Sequence, residues 1–176
     1  MKNRKYNFCL LLENAKLGLY TKPQIKKFMK IADEFNLPSV VRDLSLYLVP
    51  KAEFSVDGAP DAIKERVAKG IGYLNGQGHT LSRTKQMLKR HGIIESINRV
   101  GAQKGISKNL EILANAGLLH YAAESIVLDY PKLFSQHVVE ISRAKLDKVS
   151  DPTYQKVKSI LHGLVHEREL AFVDCL

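Results

Sequence analysis

Apolar residues recur three and four positions apart along almost the whole sequence, which is the spacing of an amphipathic helix. Near the N-terminus, for example, Phe8, Leu11, Leu12, Ala15 and Leu19 follow this period. No convincing run alternates apolar and polar residues as a half-buried strand does. This pattern predicts an all-α protein of roughly seven to nine helices, built from helix-turn-helix-like hairpins.

Prolines and turn-forming residues divide the helical pattern into segments. The predicted helices after the first run from Thr21 to about Phe35, from Pro38 to about Leu48, from Asp61 to about Leu74 and, near the C-terminus, from Asp151 to about Leu170. Thr21 followed by Pro23 is typical of a helix start. The sequence "NGQG" at 75–78 predicts a loop.

The segment 51–60, "KAEFSVDGAP", carries turn formers and no helical stripe, so it is the predicted linker. Residues 1–50 then form an N-terminal helical segment, and residues 61–176 form a C-terminal helical domain with two helix-turn units. One continuous domain is the alternative.

Two segments of the sequence align without a gap when one is shifted by 25 residues. They are "LSRTKQMLKRHGII" at 81–94 and "ISKNLEILANAGLL" at 106–119. In each, a helical stripe ends at a glycine, Gly92 or Gly117, where a left-handed residue is favoured. Two further segments, 36–50 and 117–131, resemble each other, since each begins with a turn residue and a leucine and ends on a proline. This spacing resembles that of the mitochondrial transcription termination factor family over less than half of the chain, and it predicts irregular helical repeats.

The net charge of +9, from 27 Lys and Arg against 18 Asp and Glu, favours an acidic partner. Residues 1–30 hold eight basic side chains and one acidic one, and residues 76–110 hold seven and one. Nucleic acid is the first candidate, ahead of an anionic membrane or an acidic protein. We expect both basic patches to meet the same ligand.

The second patch places its cations on one side of a predicted helix. Arg83, Lys85, Lys89 and Arg90 fall opposite the apolar arc that contains Leu88. In the shifted copy, Lys85, Lys89 and Arg90 are replaced by Leu, Ala and Asn, so a hairpin of this design does not require those charges. The alternative interpretation is a plain solvated helix face.

Gly92 follows the apolar pair Met87-Leu88 and precedes Ile93. This arrangement looks like the turn of a helix-turn-helix DNA-binding unit. A second helix from about Ile94 would then face bases or phosphates, although Gly101 would shorten it. His91 departs from the motif, because an aliphatic residue normally packs there. The predicted nucleic-acid-binding residues are Arg83, Lys85, Lys89, Arg90, Ser96, Asn98, Arg99, Gln103, Lys104 and Lys108, together with Lys2, Arg4, Lys5, Lys26 and Lys27 of the first patch.

No catalytic group, metal site or cofactor motif is predicted. His162 and His166 have metal-ligand spacing but no evident third ligand. Cys9 and Cys175 form no CxxC pair, which favours an intracellular location in cytoplasm, nucleoid or nucleus. No membrane partner is expected, and a homodimer stays open.

The sequence thus predicts a non-enzymatic regulatory or accessory protein, acting for instance in transcription, that binds nucleic acid, with double-stranded DNA as the first candidate. The alternative is a helical adaptor or scaffold that binds an acidic protein.

Overall fold

The computed structural model of the protein describes residues 6–54 and 57–151. The α-helices in these residues are α1 (Phe8–Lys16), α2 (Lys22–Glu34), α3 (Pro38–Ser45), α4 (Asp61–Gly76), α5 (Ser82–Ala102), α6 (Lys108–Asn115), α7 (Ala123–Asp129) and α8 (Gln136–Ser150). Short 3-10 turns span Lys51–Phe54, Leu119–Tyr121 and Pro131–Leu133. The described residues contain no strand, so the predicted all-α class is confirmed.

Local side-chain contacts fix the start of several helices. The Gln24 side chain accepts the Thr21 amide at 2.8 Å in a capping box, and Pro23 lies in the first turn of α2. The hydroxyl of Ser107 accepts the Leu110 amide at 3.1 Å and so caps α6. The predicted helix start after Thr21 is therefore confirmed.

Several helices end on a residue with positive φ. After α6, Gly117 has φ 69°. Its amide donates to Ala114 O at 3.0 Å, and the next amide, of Leu118, donates to Leu113 O at 2.8 Å. This pair of bonds is a Schellman motif, which satisfies carbonyls that the helix end leaves unpaired. Gly18, Asn36 and Gly78 close α1, α2 and α4 in the same way.

The end of α4 differs from the sequence prediction. The helix continues through Asn75 and Gly76, and the turn comes only at Gly78, which has φ 80°. Gly76 is used here for close packing, since a Cβ atom at this position would lie 2.6 Å from Ser45 Cβ on α3. The predicted helix from Asp151 to Leu170 lies outside the described residues except for Asp151, which follows the end of α8. His162 and His166 also lie outside them.

Two apolar clusters form the interior. A small one joins α1, α2 and α3 and includes Ile25, Met29 and Leu44. A larger one extends from the end of α3 to α8. The clusters adjoin where α4 packs on the end of α3, and Gly72 permits this approach because its Cβ would lie 2.8 Å from Ser45 O. The division of the chain into domains at 51–60 stays a prediction.

A buried ion pair joins α7, α8 and the end of α5. Lys145 Nζ lies 3.4 Å from Glu124 Oε1, and both side chains are almost fully buried. The same ammonium donates to Val100 O at 3.1 Å and to Gly101 O at 3.0 Å. It therefore satisfies carbonyls at the C-terminal end of α5, where a positive charge is favoured.

Gly101 lies one residue before the end of α5, which stops at Ala102, so the second segment is short, as the sequence predicts. A Cβ atom on Gly101 would lie 2.7 Å from Val138 Cγ1 and 3.2 Å from Ser142 Oγ. This glycine lets α8 approach α5 closely enough for Lys145 to reach the backbone.

Replacing Lys145 by methionine should lower the free energy of unfolding by about 3–5 kcal/mol, because Glu124 would stay buried without its cation. Urea denaturation measures this change. Arg143→Met on the same helix is the control; its side chain is exposed, so the change should be within about 0.5 kcal/mol. Equal effects of the two substitutions would show that the buried pair does not hold α8 in place.

Candidate nucleic-acid interface

Helix α5 bends sharply at Gly92. This residue has φ 74° and ψ 174°, which are not helical values. Positive φ combined with extended ψ is essentially restricted to glycine. The bend divides α5 into a first segment, 82–91, and a second segment, 93–102.

The carboxylate of Asp57 fixes this bend from a distant part of the chain. Its Oδ2 accepts the Ile93 amide at 2.8 Å, and its Oδ1 accepts the Ala59 amide at 2.8 Å. A negative group is favoured at a helix N-terminus, so Asp57 acts as the cap of the second segment. The sequence shows Asp57-Gly58 as a turn, but no local signal gives its partner 36 positions away.

The second segment begins deep in the core. Ile93 is 1% exposed, Ser96 2% and Ile97 4%. The prediction that Ser96 contacts nucleic acid is therefore wrong, because its hydroxyl does not reach the surface. The amide end of this segment also meets the Asp57 carboxylate, which occupies the place where a phosphate would bind a helix N-terminus.

Polar residues further along the second segment bond to one another. Arg99 Nε donates to Glu95 Oε1 at 2.7 Å, and Asn98 Nδ2 lies 3.4 Å from Glu95 Oε2. The hydrogen bond from Arg99 lowers the pKa of Glu95 below its ordinary value. Asn98 is half-buried and Arg99 is exposed. The structure thus gives this segment little free polar surface for reading bases.

The remaining predicted residues of this region lie outside the bend. Gln103 and Lys104 are exposed just after the end of α5, and Lys108 is exposed in the first turn of α6. Among the described residues, no carboxylate forms an ion pair with Lys104 or Lys108.

The first segment of α5 carries the basic face, which consists of Arg83, Lys85, Lys89 and Arg90. All four side chains are exposed. Within residues 6–54 and 57–151, none of them forms an ion pair. On α4, by contrast, three cations pair with carboxylates: Lys64 with Asp61, Arg66 with Asp129 and Lys69 with Glu65. Like charges four positions apart destabilise a helix, so the basic face does not stabilise the fold.

The opposite side of the first segment faces the protein interior. Leu81 is 6% exposed, and Thr84, Met87 and Leu88 are half-buried. The apolar arc expected from the sequence is thus largely confirmed, whereas His91 at its end is exposed. Lys85 and Lys89 also border a surface depression together with Glu53 and Asp57.

The two helix-turn units differ at equivalent positions. Lys85 is exposed, whereas its counterpart Leu110 is 1% exposed. Both glycines have positive φ, but Gly117 closes a Schellman motif and Gly92 leads directly into the next helical segment. The structure therefore shows two glycine-terminated helices and does not show a repeat.

The basic residues of the first patch lie partly on α2, where Lys26 and Lys27 are exposed. Lys2, Arg4 and Lys5 lie outside the described residues. Helix α2 packs on α3 and α1, while α5 packs mainly on α7 and α8. The prediction that both patches meet one ligand stays a prediction.

No helix in the described part of the chain combines the length and apolar character needed to cross a membrane. Nor do residues 6–54 and 57–151 bring together three His, Cys, Asp or Glu side chains able to hold a metal ion. Comparison of the chain with family models, curated proteins and solved structures finds no match.

Replacing Gly92 by alanine should lower the free energy of unfolding by about 1–3 kcal/mol, because the side chain would be held at an unfavourable positive φ. Its Cβ would also lie 3.0 Å from Asp57 Oδ2. Gly58→Ala is the matched control, since a Cβ there meets nothing within 4 Å, and its effect should be about 1 kcal/mol or less. Thermal or urea unfolding of both variants distinguishes them, and a Gly92→Ala protein as stable as the wild type would contradict the bend.

Proposed function

We propose that the protein binds double-stranded DNA through phosphate contacts from the basic face, without sequence reading and without catalysis, in a regulatory or accessory role. The observation that carries this proposal is the set of four exposed cations on two turns of helix. Among the described residues, no carboxylate forms an ion pair with any of them.

The dimensions of the basic face suit a duplex. From residue 83 to residue 90 a helix rises about 10 Å. Over that length a DNA duplex carries about six phosphate charges. Four flexible cationic side chains on a rigid helix can therefore each reach a phosphate, and release of counterions from the DNA supplies the free energy of binding.

The second segment supports phosphate contact more than base reading. A recognition helix needs several free polar side chains at its start. Here Ser96 is buried, and Asn98 and Arg99 are bonded to Glu95. Lys104 and Lys108, which are exposed after the end of α5, extend the cationic surface without adding base-specific groups.

A second candidate function is the adaptor, which exposed apolar residues in α1 and just after α1 and α2 favour. Leu10 is 56% exposed, Leu17 69%, Leu19 64% and Phe35 57%. A surface of this kind is typical of a site for a protein partner. Binding through it would depend little on salt, because burial of apolar area rather than release of counterions would drive it.

Replacement of Lys85, Lys89 and Arg90 together by glutamine should weaken binding to duplexes of any sequence. Three lost phosphate contacts should also flatten the slope of log Kobs against log salt concentration by about 2.7, since each contact contributes about 0.9. Fluorescence anisotropy with a labelled duplex of random sequence, titrated at several salt concentrations, gives both quantities.

The matched control replaces three exposed cations elsewhere, Lys132, Arg143 and Lys148, by glutamine. It removes the same net charge and should leave the slope nearly unchanged. If both triple variants flatten the slope equally, net charge rather than the basic face controls binding. If the wild type binds no duplex at low salt but captures an acidic protein, the adaptor is the better account.

A further inference from the structure

A cavity of about 280 Å³ lies between α4, α5, α6 and the start of α7. Its walls are largely apolar and include Val67, Ile71, Met87, Leu110, Leu113 and Ile126. Exposed residues at its edge, such as Arg83 and Gln103, connect it to solvent. Apolar enclosure with a small number of polar groups is the usual character of a small-molecule site.

Two buried polar side chains line this cavity. Among residues 6–54 and 57–151, the Ser96 hydroxyl oxygen has no hydrogen-bond partner, although the residue is only 2% exposed. Glu124 is equally buried. Among the described residues, its carboxylate receives one side-chain hydrogen bond, from Lys145 to Oε1.

An unpartnered buried hydroxyl is unfavourable and uncommon in a folded protein. Its presence in the same cavity as a carboxylate that has further acceptor capacity indicates a place where a ligand supplies the missing bonds. Ser96 can donate or accept, whereas an ionised Glu124 can only accept. The complementary group is one that carries a hydrogen-bond donor.

The charge of the ligand follows from the ion pair. Lys145 already balances Glu124, so a charged ligand would bury an uncompensated charge. The size follows from the volume, because an apolar cavity of about 150 Å³ holds one benzene molecule. The space here is nearly twice that and suits a body of about two fused rings.

We propose that this cavity binds a small neutral molecule with an apolar body and one hydroxyl or amide group, which hydrogen-bonds with Ser96 Oγ and the Glu124 carboxylate. This site adjoins the basic face at Arg83, which lies at the edge of the cavity. Its occupant contacts the inner side of the first segment of α5, at Thr84 and Met87, whereas the cations of the triple variant, Lys85, Lys89 and Arg90, do not line the cavity.

The test uses 2-naphthol as the probe and naphthalene as the same body without the hydroxyl. The chain has no tryptophan, so the fluorescence of the probes reports binding directly. Wild-type protein should bind 2-naphthol about tenfold more tightly than naphthalene, which is the worth of one hydrogen bond made in a buried site. Failure of 2-naphthol to bind, or equal binding of both probes, would overturn the proposal without any variant.

Ser96→Ala should remove the preference for 2-naphthol and leave naphthalene binding unchanged. Because the hydroxyl has no partner among the described residues, thermal unfolding of this variant should occur at the wild-type temperature or above. Ser142→Ala is the control: in the described part of the chain, that hydroxyl is also buried without a partner, but it does not line the cavity.

Ser142→Ala should keep the full preference. A Ser96→Ala protein that still prefers 2-naphthol, or a Ser142→Ala protein that loses the preference as well, would contradict the assignment of Ser96. Duplex binding should be the same in both variants and in the wild type. The experiment can therefore contradict the small-molecule site without contradicting the proposed DNA binding, and the reverse also holds.

Discussion

The hydrogen bond from the Ile93 amide to the Asp57 carboxylate holds a bend in the middle of the longest helix, and the rest of the arrangement depends on that bend. Gly92 supplies the backbone conformation, and the carboxylate replaces the helical bonds that the bend removes. Before the bend, the helix presents cations to solvent and apolar side chains to the cavity. After it, the helix buries the face that carries Ile93, Ser96 and Ile97. Helices α7 and α8 pack against α5. One continuous helix could not place the inner side of the first segment against the cavity and the inner side of the second segment in the core at the same time.

Local rules in the sequence predict much of this fold. The helical period gives the all-α class, Thr21 and Pro23 give the start of α2, and Gly117 gives a positive-φ helix end. Each depends on residues within one or two turns of each other, so one sequence contains the whole signal. The exposure of Lys85 and Lys89 follows for the same reason, because the apolar arc of their own helix fixes which side faces outward.

The contacts that the sequence does not predict join residues far apart in the chain. In the sequence, Glu124 and Lys145 are indistinguishable from ordinary charged residues on helices, and only the packing of α7 and α8 brings them together in the core. Asp57 is recognisable in the sequence only as a turn residue, and its hydrogen bond with Ile93 depends on the fold. Gly101 is predicted to shorten the helix, but its close approach to Val138 and Ser142 of α8 depends on residues that the sequence gives no reason to place nearby. Ser96 is predicted to be exposed because serine is polar, and only the tertiary packing of the second segment shows that it is buried.

The central claim, that the basic face meets DNA phosphates, is tested most directly by lysine acetylation footprinting. The protein is treated with acetic anhydride with and without a duplex of random sequence, at low salt, and modification is measured by mass spectrometry at Lys85, Lys89, Lys132 and Lys148, all of them exposed. The account predicts that the duplex lowers the acetylation of Lys85 and Lys89 by about threefold or more, because their ammonium groups contact phosphates most of the time. Acetylation of Lys132 and Lys148 should not change. Equal reactivity of Lys85 and Lys89 with and without the duplex would contradict it.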